Sequence, residues 1–284
     1  GLAVRLAAPS VLTALVLAMA AAAVPPTAVS APSTAAAGRE RLCLDRGWRF
    51  ALGHAADPAR DFGFGSGYFS HLAKAGFGDG PASAAFDDRA WRQVDLPHDW
   101  AVEAPFDPKA SPSHGFKAIG RGFPERSVGW YRRSFFVPAG DLGRRLRIEL
   151  DGAYRAAQLF VNGFLVGEEP SGYLGASYDV SEYLDYGADN VVAVRVDASL
   201  EEGWFYEGAG IYRHVWLLKT DPLHVVRDGT WVRTEADGDD AVVRVETTVE
   251  NEGQQVVRCQ LELAVVDDKG RVRAASEPAA SELP

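Results

Sequence analysis

Hydrophobic and polar side chains alternate with a period of two along many short stretches of the chain. Residues 146–150 alternate leucine and isoleucine with charged residues, and residues 190–196 are rich in valine. Residues 211–217, which follow a Gly-Ala-Gly sequence, alternate in the same way. Such alternation predicts β-strands, and no stretch shows the period of an amphipathic helix. The pattern therefore predicts an all-β protein.

Turn signals divide these stretches. Residues 156–161 end at Asn162-Gly163, the dipeptide most typical of a two-residue β-hairpin turn, and residues 164–167 return. Short strands joined by tight turns are typical of a β-sandwich or jelly roll. We assign this domain to residues 42–220, because a Thr-Asp-Pro sequence then interrupts the pattern.

Beyond this boundary the alternation resumes. Residues 241–250 and 256–266 predict half-buried antiparallel strands, and residues 230–234 predict a further short strand. Three or four strands fit the first part of an immunoglobulin-like sandwich, which needs about seven strands and ~100 residues. We therefore predict that residues 221–284 are an incomplete immunoglobulin-like domain and that the chain is a fragment.

Two long segments lack both alternation and a helical period. Residues 53–80 are rich in glycine, and residues 101–128 are rich in proline and glycine. Irregular segments of this length in a compact domain are usually functional or disordered. We predict that both are loops.

The N-terminal residues have the composition of a targeting segment. Arg5 precedes an apolar run at residues 11–20, and small residues surround positions 29–31. This arrangement predicts a signal peptide over residues 1–31, followed by a linker at residues 32–41. We expect a protein exported to the bacterial periplasm or the exterior, with no membrane association after the signal peptide is removed.

Composition excludes several classes of function. The chain has 284 residues and a formal net charge of −10, which argues against binding to nucleic acid or to an anionic membrane. Its seven Trp and nine Tyr suit flat ligands. Cys43 and Cys259 fall in different predicted domains, so we expect no disulfide, and Cys259 is expected to be a buried thiol. With six scattered His, no zinc-ligand spacing occurs, so we predict no metal site and no cofactor.

Five motifs recur in an order that resembles the N-terminal part of glycoside hydrolase family 2, which includes β-galactosidases, β-glucuronidases and β-mannosidases. The motifs lie at the positions 86–100, 129–133, 151–167, 190–196 and 208–217. The resemblance covers the jelly roll at 42–220 and the start of the immunoglobulin-like domain. The His-Gly-Phe-Lys sequence at residues 114–117 resembles bacterial β-galactosidases more than the other branches.

The resemblance implies that the chemistry lies in a (β/α)8 barrel later in the protein. There two glutamates would hydrolyse terminal β-galactosides with retention of configuration. Such a barrel needs about 250 residues, and this chain has none of it. We therefore assign no catalytic residue and expect the chain alone to be inactive. Its partners would be a carbohydrate, either a β-galactoside or an oligosaccharide, and the missing C-terminal barrel.

The resemblance also implies that the jelly roll contributes to the rim of the galactoside pocket. Trp204 stands where the family often has a rim aspartate, and Glu202 or Glu207 could replace it, the alternative being a solvated loop carboxylate. Asp99 and Trp100 combine a hydrogen-bond acceptor with a stacking face, although Trp100 could equally be a core residue. The candidate carbohydrate-binding residues are Asp99, Trp100, His114, Glu202, Trp204, Tyr206 and Glu207.

Other functions remain open from the sequence. The chain could be a freestanding carbohydrate-binding module, a truncated gene product, or a fragment of a β-glucuronidase or β-mannosidase. The aromatic residues 204–206 could be core residues at a strand entrance instead of sugar-stacking rings. The sequence does not indicate an oligomeric state.

Overall fold

The computed structural model describes residues 2–7, 16–23, 38–201, 203, 206–237 and 240–283. Contacts divide the chain into two compact units. One unit is Glu40–Lys219, and the other joins Thr220–Pro284 with Gly1–Arg39. The limits of the first unit lie close to the predicted jelly-roll range of 42–220.

Strands and short 3-10 helices are the regular elements of the described residues, which confirms the all-β prediction. The strands are β1 (Leu2–Ala7), β2 (Val16–Ala23), β3 (Glu40–Cys43), β4 (Trp48–Leu52), β5 (Arg92–Val94), β6 (Val128–Val137), β7 (Arg145–Leu150), β8 (Ala157–Val161), β9 (Phe164–Glu169), β10 (Ala176–Asp179), β11 (Ala188–Asp197), β12 (Val215–Thr220), β13 (Leu223–Asp237), β14 (Asp240–Asn251), β15 (Val257–Val266), β16 (Val272–Ala275) and β17 (Ala279–Leu283). The 3-10 helices are Ser70–Ala75, Gly80–Ala82, Trp100–Glu103, Pro112–His114, Pro124–Arg126, Ala139–Asp141 and Ser181–Tyr183.

The Glu40–Lys219 unit is a sandwich of two sheets. One sheet has six strands in the order β5-β4-β6-β11-β8-β9, and the other has four in the order β10-β7-β12-β3. Alternating side chains from both sheets meet in one buried core, to which β7 contributes Leu146, Ile148 and Leu150 as predicted. Burial of these alternating faces is what drives the two sheets together.

The six-stranded sheet is covered on both faces. Trp130 and Tyr131 are neighbours on β6, so their side chains point to opposite faces of the sheet. Both are fully buried, because Tyr131 lies in the core between the sheets and Trp130 lies in a second cluster. That second cluster is completed by Phe62, Phe64 and other residues of the long segment after β4.

The Asn162-Gly163 prediction is confirmed. The two residues have φ angles of 49° and 89° and join β8 to β9 as an antiparallel hairpin. A tight turn of the type I′ class requires positive φ at both positions, and Asn and Gly tolerate it at the lowest cost.

The strand predicted directly after the Gly-Ala-Gly sequence begins later than expected, because β12 starts at Val215 and not at Ile211. Gly210 has a φ of 130° and forms an isolated β-bridge with Tyr154. A Cβ at Gly210 would clash with the carbonyl oxygen of His98 and lie 2.6 Å from the hydroxyl of Tyr131. This close approach uses the backbone of residue 210 for contacts outside the sheet, so regular pairing resumes only at Val215.

The second unit contains the alternating strands that were predicted after residue 221. β13 pairs with β14, and β15 pairs with β16 and β17, all antiparallel. Its small core comprises Val243, Val245 and Leu263. Cys259 is buried, as expected. Assignment of this unit to the immunoglobulin-like class stays a prediction.

Two N-terminal strands belong to the second unit. β1 pairs with β14, and β2 pairs with β15. Unpaired strand edges readily accept another extended segment, and these apolar residues suit that role. Residues 1, 8–15 and 24–37 lie outside the described residues, and the signal peptide at 1–31 stays a prediction. The predicted linker at 32–41 ends early, since β3 begins at Glu40.

No helix in the described part of the chain is both long and apolar enough to cross a membrane.

Candidate carbohydrate-binding site

Two distant segments of the first unit meet beside the Gly-Ala-Gly sequence. The backbone N–H of His98 donates to the carbonyl of Ile211 at 2.8 Å, and that of Trp100 donates to the carbonyl of Ala209 at 2.9 Å. This pairing brings five of the predicted site residues together. We call Asp99, Trp100, His114, Tyr206 and Glu207 the loop cluster.

Asp99 connects the two segments. Its Oδ1 accepts hydrogen bonds from the backbone N–H groups of Ala101, at 2.9 Å, and Ala209, at 2.8 Å. Its Oδ2 accepts a hydrogen bond of 2.8 Å from the hydroxyl of Tyr206. A carboxylate has about four acceptor sites, so the half-buried Asp99 retains room for one more donor. Asp99 therefore acts first as a positioning residue for Tyr206.

Trp100 does not present a stacking face, which corrects that prediction. Its side chain is 3% exposed and lies in the core beside Phe50. Its indole Nε1 donates to the carbonyl of Arg126 at 2.8 Å. Burial of a large ring with its N–H satisfied is the usual state of a core tryptophan. The core alternative that the sequence left open is the one found.

His114 is also buried, at 0% exposure, so it cannot reach a ligand on the surface. It ends the 3-10 helix Pro112–His114. Burial lowers its pKa, and the carboxylates of Glu207, Glu201 and Asp99 oppose that shift. The prediction that His114 contacts sugar is therefore wrong in this structure, because the surrounding loops enclose the ring.

Glu207 was expected to be either a rim carboxylate or a solvated loop residue, and it is neither. Its side chain is fully buried, with Oε2 at 3.8 Å from Nε2 of His114. Its Oε1 accepts a hydrogen bond of 2.6 Å from the backbone of Gly203, and its own N–H donates to the carbonyl of Ser113 at 2.8 Å. Glu207 thus holds the two loops together from inside.

Tyr206 is the member of the loop cluster whose ring reaches solvent, with 50% exposure. Burial of its hydroxyl end and the hydrogen bond to Asp99 raise its pKa, so the phenol stays protonated and donates. A half-exposed ring with a fixed hydroxyl presents an apolar face and one polar group. That combination matches the apolar face and hydroxyl edge of a pyranose.

Two exposed aromatics of the neighbouring loop were missed by the sequence analysis. Phe106 and Phe116 are exposed, and the ammonium of Lys117 lies 4.1 Å from the centroid of the Phe106 ring. The same loop contacts the Tyr206 segment through Ser113. Alternation cannot reveal such residues in a Pro- and Gly-rich loop, and the only signal was an aromatic side chain without a strand to bury it.

Glu202 and Trp204 lie outside the described residues. Within residues 38–201, 203, 206–237 and 240–283 no three His, Cys, Asp or Glu side chains come together as a metal site. The sequence prediction of no metal and no cofactor stays a prediction.

Comparison with known proteins decides the family. Residues 118–221 match the family model of the sugar binding domain of glycosyl hydrolases family 2. The chain belongs to glycoside hydrolase family 2. It corresponds to an N-terminal region of that family, as the ordered motifs predicted, and its described residues contain no (β/α)8 barrel.

Several relatives are similar over most of this chain. A beta-galactosidase of Bacteroides ovatus is 37% identical over 82% of the chain and 24% of its own length. A beta-glucuronidase of Formosa agariphila is 29% identical over 67% of the chain and 21% of its own length. The crystal structure of a family 2 member from Bacteroides cellulosilyticus matches with a TM-score of 0.72 and 30% identity, over 86% of this chain and 29% of that one. The chain spans about a quarter or less of the curated relatives it matches.

Proposed function

We propose that this chain is the N-terminal carbohydrate-binding and scaffold region of a retaining glycosidase that hydrolyses terminal β-galactosides. The observation that carries the proposal is the 37% identity to a protein named as a beta-galactosidase, over 82% of this chain. The exposed ring of Tyr206, held by Asp99, supports a direct role of this region in sugar binding.

In this proposal the loop cluster shapes the edge of the sugar site. Tyr206 offers its ring to the apolar face of a galactose unit, and Phe106 and Phe116 extend the surface toward the rest of the substrate. Asp99 restricts the rotation of Tyr206, which lowers the entropy cost of binding. Hydrolysis itself belongs to two glutamates of a barrel in the parent protein.

The test compares the chain alone with the parent protein on nitrophenyl β-galactoside, β-glucuronide and β-mannoside. We expect no turnover by the chain and preferential turnover of the β-galactoside by the parent. In the parent, Tyr206→Ala should raise KM about tenfold, because roughly 50 Å² of apolar contact is lost. Phe136→Ala is the control, since this exposed ring lies on β6 outside the loop cluster.

Turnover by the chain alone would show that the catalytic carboxylates have been placed wrongly. A parent that prefers the β-glucuronide would replace the β-galactoside proposal by a second candidate. The 29% identity to a protein named as a beta-glucuronidase favours that candidate over the β-mannosidase.

We also propose that the protein is exported, on the evidence of the N-terminal charge and apolar run. The test is to express the gene in a bacterial host and determine the N-terminus of the mature protein by mass spectrometry. We expect a mature chain that begins close to residue 32 and is recovered from the periplasm or the medium. An uncleaved chain retained in the cytoplasm would contradict export.

A further inference from the structure

The long segment after β4, residues 53–80, is irregular but firmly attached on its inner side. Phe62 and Phe64 pack in the second hydrophobic cluster with Trp130 of β6. The buried Asp61 accepts a hydrogen bond of 2.8 Å from Nε1 of Trp130 and pairs with Nε of Arg195 at 3.0 Å. The base of the segment is therefore fixed to the six-stranded sheet.

The tip of the same segment is held as well. The carboxylate of Asp79 accepts hydrogen bonds from the backbone N–H groups of Gly65, at 2.8 Å, and Gly67, at 2.7 Å. The N–H of Gly78 donates to the carbonyl of Gly163, in the turn of the β8–β9 hairpin, at 2.9 Å. A segment held at both ends presents its outer side chains in a preorganised arrangement, which lowers the entropy cost of binding.

Those outer side chains are apolar, and three of the four are aromatic. Tyr68 is 85% exposed, and Phe69, Leu72 and Phe77 are exposed beside it. The rings touch in series, with centroids 4.8 Å apart for Tyr68 and Phe69 and 5.5 Å apart for Phe69 and Phe77. We call these four residues the aromatic patch. Exposed apolar patches of this kind mark interaction sites when they are rigid and rimmed by polar groups.

A cleft of about 320 Å³ is formed by the same segment and the β8–β9 hairpin. Its apolar walls include Phe64, Phe160 and Leu165, and its polar rim includes Ser70, His71, Lys74, Asp79 and Gln158. No hydrogen bond or ion pair joins the side chain of His71 or Lys74 to another residue in the part of the chain that the structure describes. The cleft falls within the size range of small-ligand sites and has hydrogen-bonding groups to spare.

We propose that the aromatic patch and this cleft form a second carbohydrate-binding site, which takes pyranose units of a neutral polysaccharide. The flat rings of Tyr68 and Phe69 fit the apolar C–H faces of sugar rings. The cleft rim offers a donor in Lys74 and an acceptor in Asp79. Both suit sugar hydroxyl groups, because a hydroxyl group donates one hydrogen bond and accepts others. The net charge of −10 disfavours an acidic polysaccharide.

This site is built from segments other than the loop cluster, so it does not depend on the function proposed above. The loop cluster comprises residues of the segments 99–114 and 206–207, whereas the second site comprises residues of 61–79 and the β8–β9 hairpin. Variants of Tyr206 test the first site, and variants of Tyr68 and Phe69 test the second.

Affinity electrophoresis of the full chain in native gels tests the proposal. The gels contain soluble β-1,4-galactan, hydroxyethylcellulose or the acidic polygalacturonate. We expect at least one of the two neutral polysaccharides to retard the chain and polygalacturonate to have less effect. The Tyr68→Ala/Phe69→Ala variant should bind at least about tenfold more weakly, because each ring contributes roughly 50 Å² of apolar contact.

Lys74→Ala should weaken binding by about threefold through loss of one exposed hydrogen bond. Phe136→Ala is the control and should bind as the unchanged chain does, because this exposed ring lies outside both sites. All four positions are exposed at the surface, and circular dichroism verifies that each variant is folded.

Three results would each overturn the proposal. The first is the absence of retardation by both neutral polysaccharides, or stronger retardation by polygalacturonate. The second is retardation that the patch variant leaves unchanged. The third is a patch variant that changes only the oligomeric state in size-exclusion chromatography, which would identify the aromatic patch as a protein interface.

Discussion

The hydroxyl of Tyr206 donates a hydrogen bond of 2.8 Å to Oδ2 of Asp99, across 107 positions of sequence. The same carboxylate holds the backbone N–H of Ala209, three residues after Tyr206. The side chain that orients the exposed ring therefore also fixes the loop that carries it. Loss of the aspartate should disturb both, whereas loss of the hydroxyl should disturb only the ring.

A double-mutant cycle separates these two effects. We expect Tyr206→Phe to lower the free energy of unfolding by about 1 kcal/mol, since the bond is partly exposed, and Asp99→Ala to lower it by about 2–3 kcal/mol. The coupling energy between the two positions should be about 1 kcal/mol. Urea denaturation of the two single variants and the double variant measures it.

The control for this cycle is Tyr68→Phe, because the side chain of Tyr68 is 85% exposed. Removal of its hydroxyl should leave the urea midpoint unchanged. A coupling energy near zero between positions 99 and 206 would show that the hydrogen bond does not form in solution.

The features that sequence reasoning predicted correctly are those set by neighbours along the chain. Alternation at residues 146–150 determines which face of β7 is buried, and Asn162-Gly163 determines its hairpin by local backbone preference. These predictions needed no knowledge of distant contacts. The same holds for the buried Cys259, whose strand neighbours share its face.

The site residues depend on contacts between distant segments, so the sequence could not place them. Glu207 looks like a surface carboxylate in a glycine-rich loop, yet Ser113 and Gly203 enclose it. His114 and Trp100 are polar or amphipathic residues in a long loop, which gives no period from which burial can be inferred. Their burial follows from the pairing of residues 98–100 with 209–211, which joins positions more than a hundred residues apart.

The free energy of unfolding should decrease as the pH is lowered, because His114 is buried. Burial lowers the pKa of this imidazole below its ordinary value of 6.5, so the folded chain binds this proton less readily than the unfolded chain. Above pH 6.5 both states are neutral at this position, and no stability is lost. As pH falls below 6.5 the unfolded state gains the proton first, and unfolding becomes more favourable until the folded pKa is reached.

The expected slope is at most about 1.4 kcal/mol per pH unit for one proton. Thermal unfolding between pH 7.5 and 5 measures the profile, and His114→Gln should flatten it. His71→Gln is the matched control, because it makes the same substitution at a histidine that is exposed at the surface. If His114→Gln leaves the profile unchanged, the acid sensitivity comes from other groups. The carboxylates of Glu207, Glu201 and Asp99 favour the protonated imidazole and would then have cancelled the effect of burial.

Arg132 should be a stabilising residue of the first unit, although an arginine on a strand suggests a surface position. Its side chain is 2% exposed and its Nε donates to Asp88 at 2.9 Å. Its terminal nitrogens donate to the carbonyls of Ser83, at 2.9 Å, Phe86, at 3.3 Å, and Pro81. One side chain thus holds residues 81–88 over the outer face of the six-stranded sheet.

We expect Arg132→Met to lower the free energy of unfolding by about 3 kcal/mol, because it leaves Asp88 and three carbonyls without their donor. Arg89→Met is the control, since that exposed guanidinium pairs with Asp87 at the surface and should contribute little. Equal effects of the two substitutions in thermal denaturation would contradict a specific role for Arg132.

Asp61 should hold the segment 53–80 against the six-stranded sheet. Asp61→Asn keeps an oxygen acceptor for Nε1 of Trp130 but removes the charge that pairs with Arg195 at 3.0 Å. The amide nitrogen would then face the guanidinium in a nearly buried site. We expect local opening of the segment to become easier by about 2 kcal/mol, because a buried ion pair loses one partner.

Limited proteolysis with chymotrypsin measures this opening, since aromatic residues of the segment are its cleavage sites. Cleavage should be about thirtyfold faster in Asp61→Asn when local opening limits the rate. Asp57→Asn is the matched control, because it makes the same change in the same segment and keeps the acceptor for the backbone of Ala59. If both variants are cleaved at the rate of the unchanged chain, the ion pair does not hold the segment. The preorganised aromatic patch would then lose one of its two attachments.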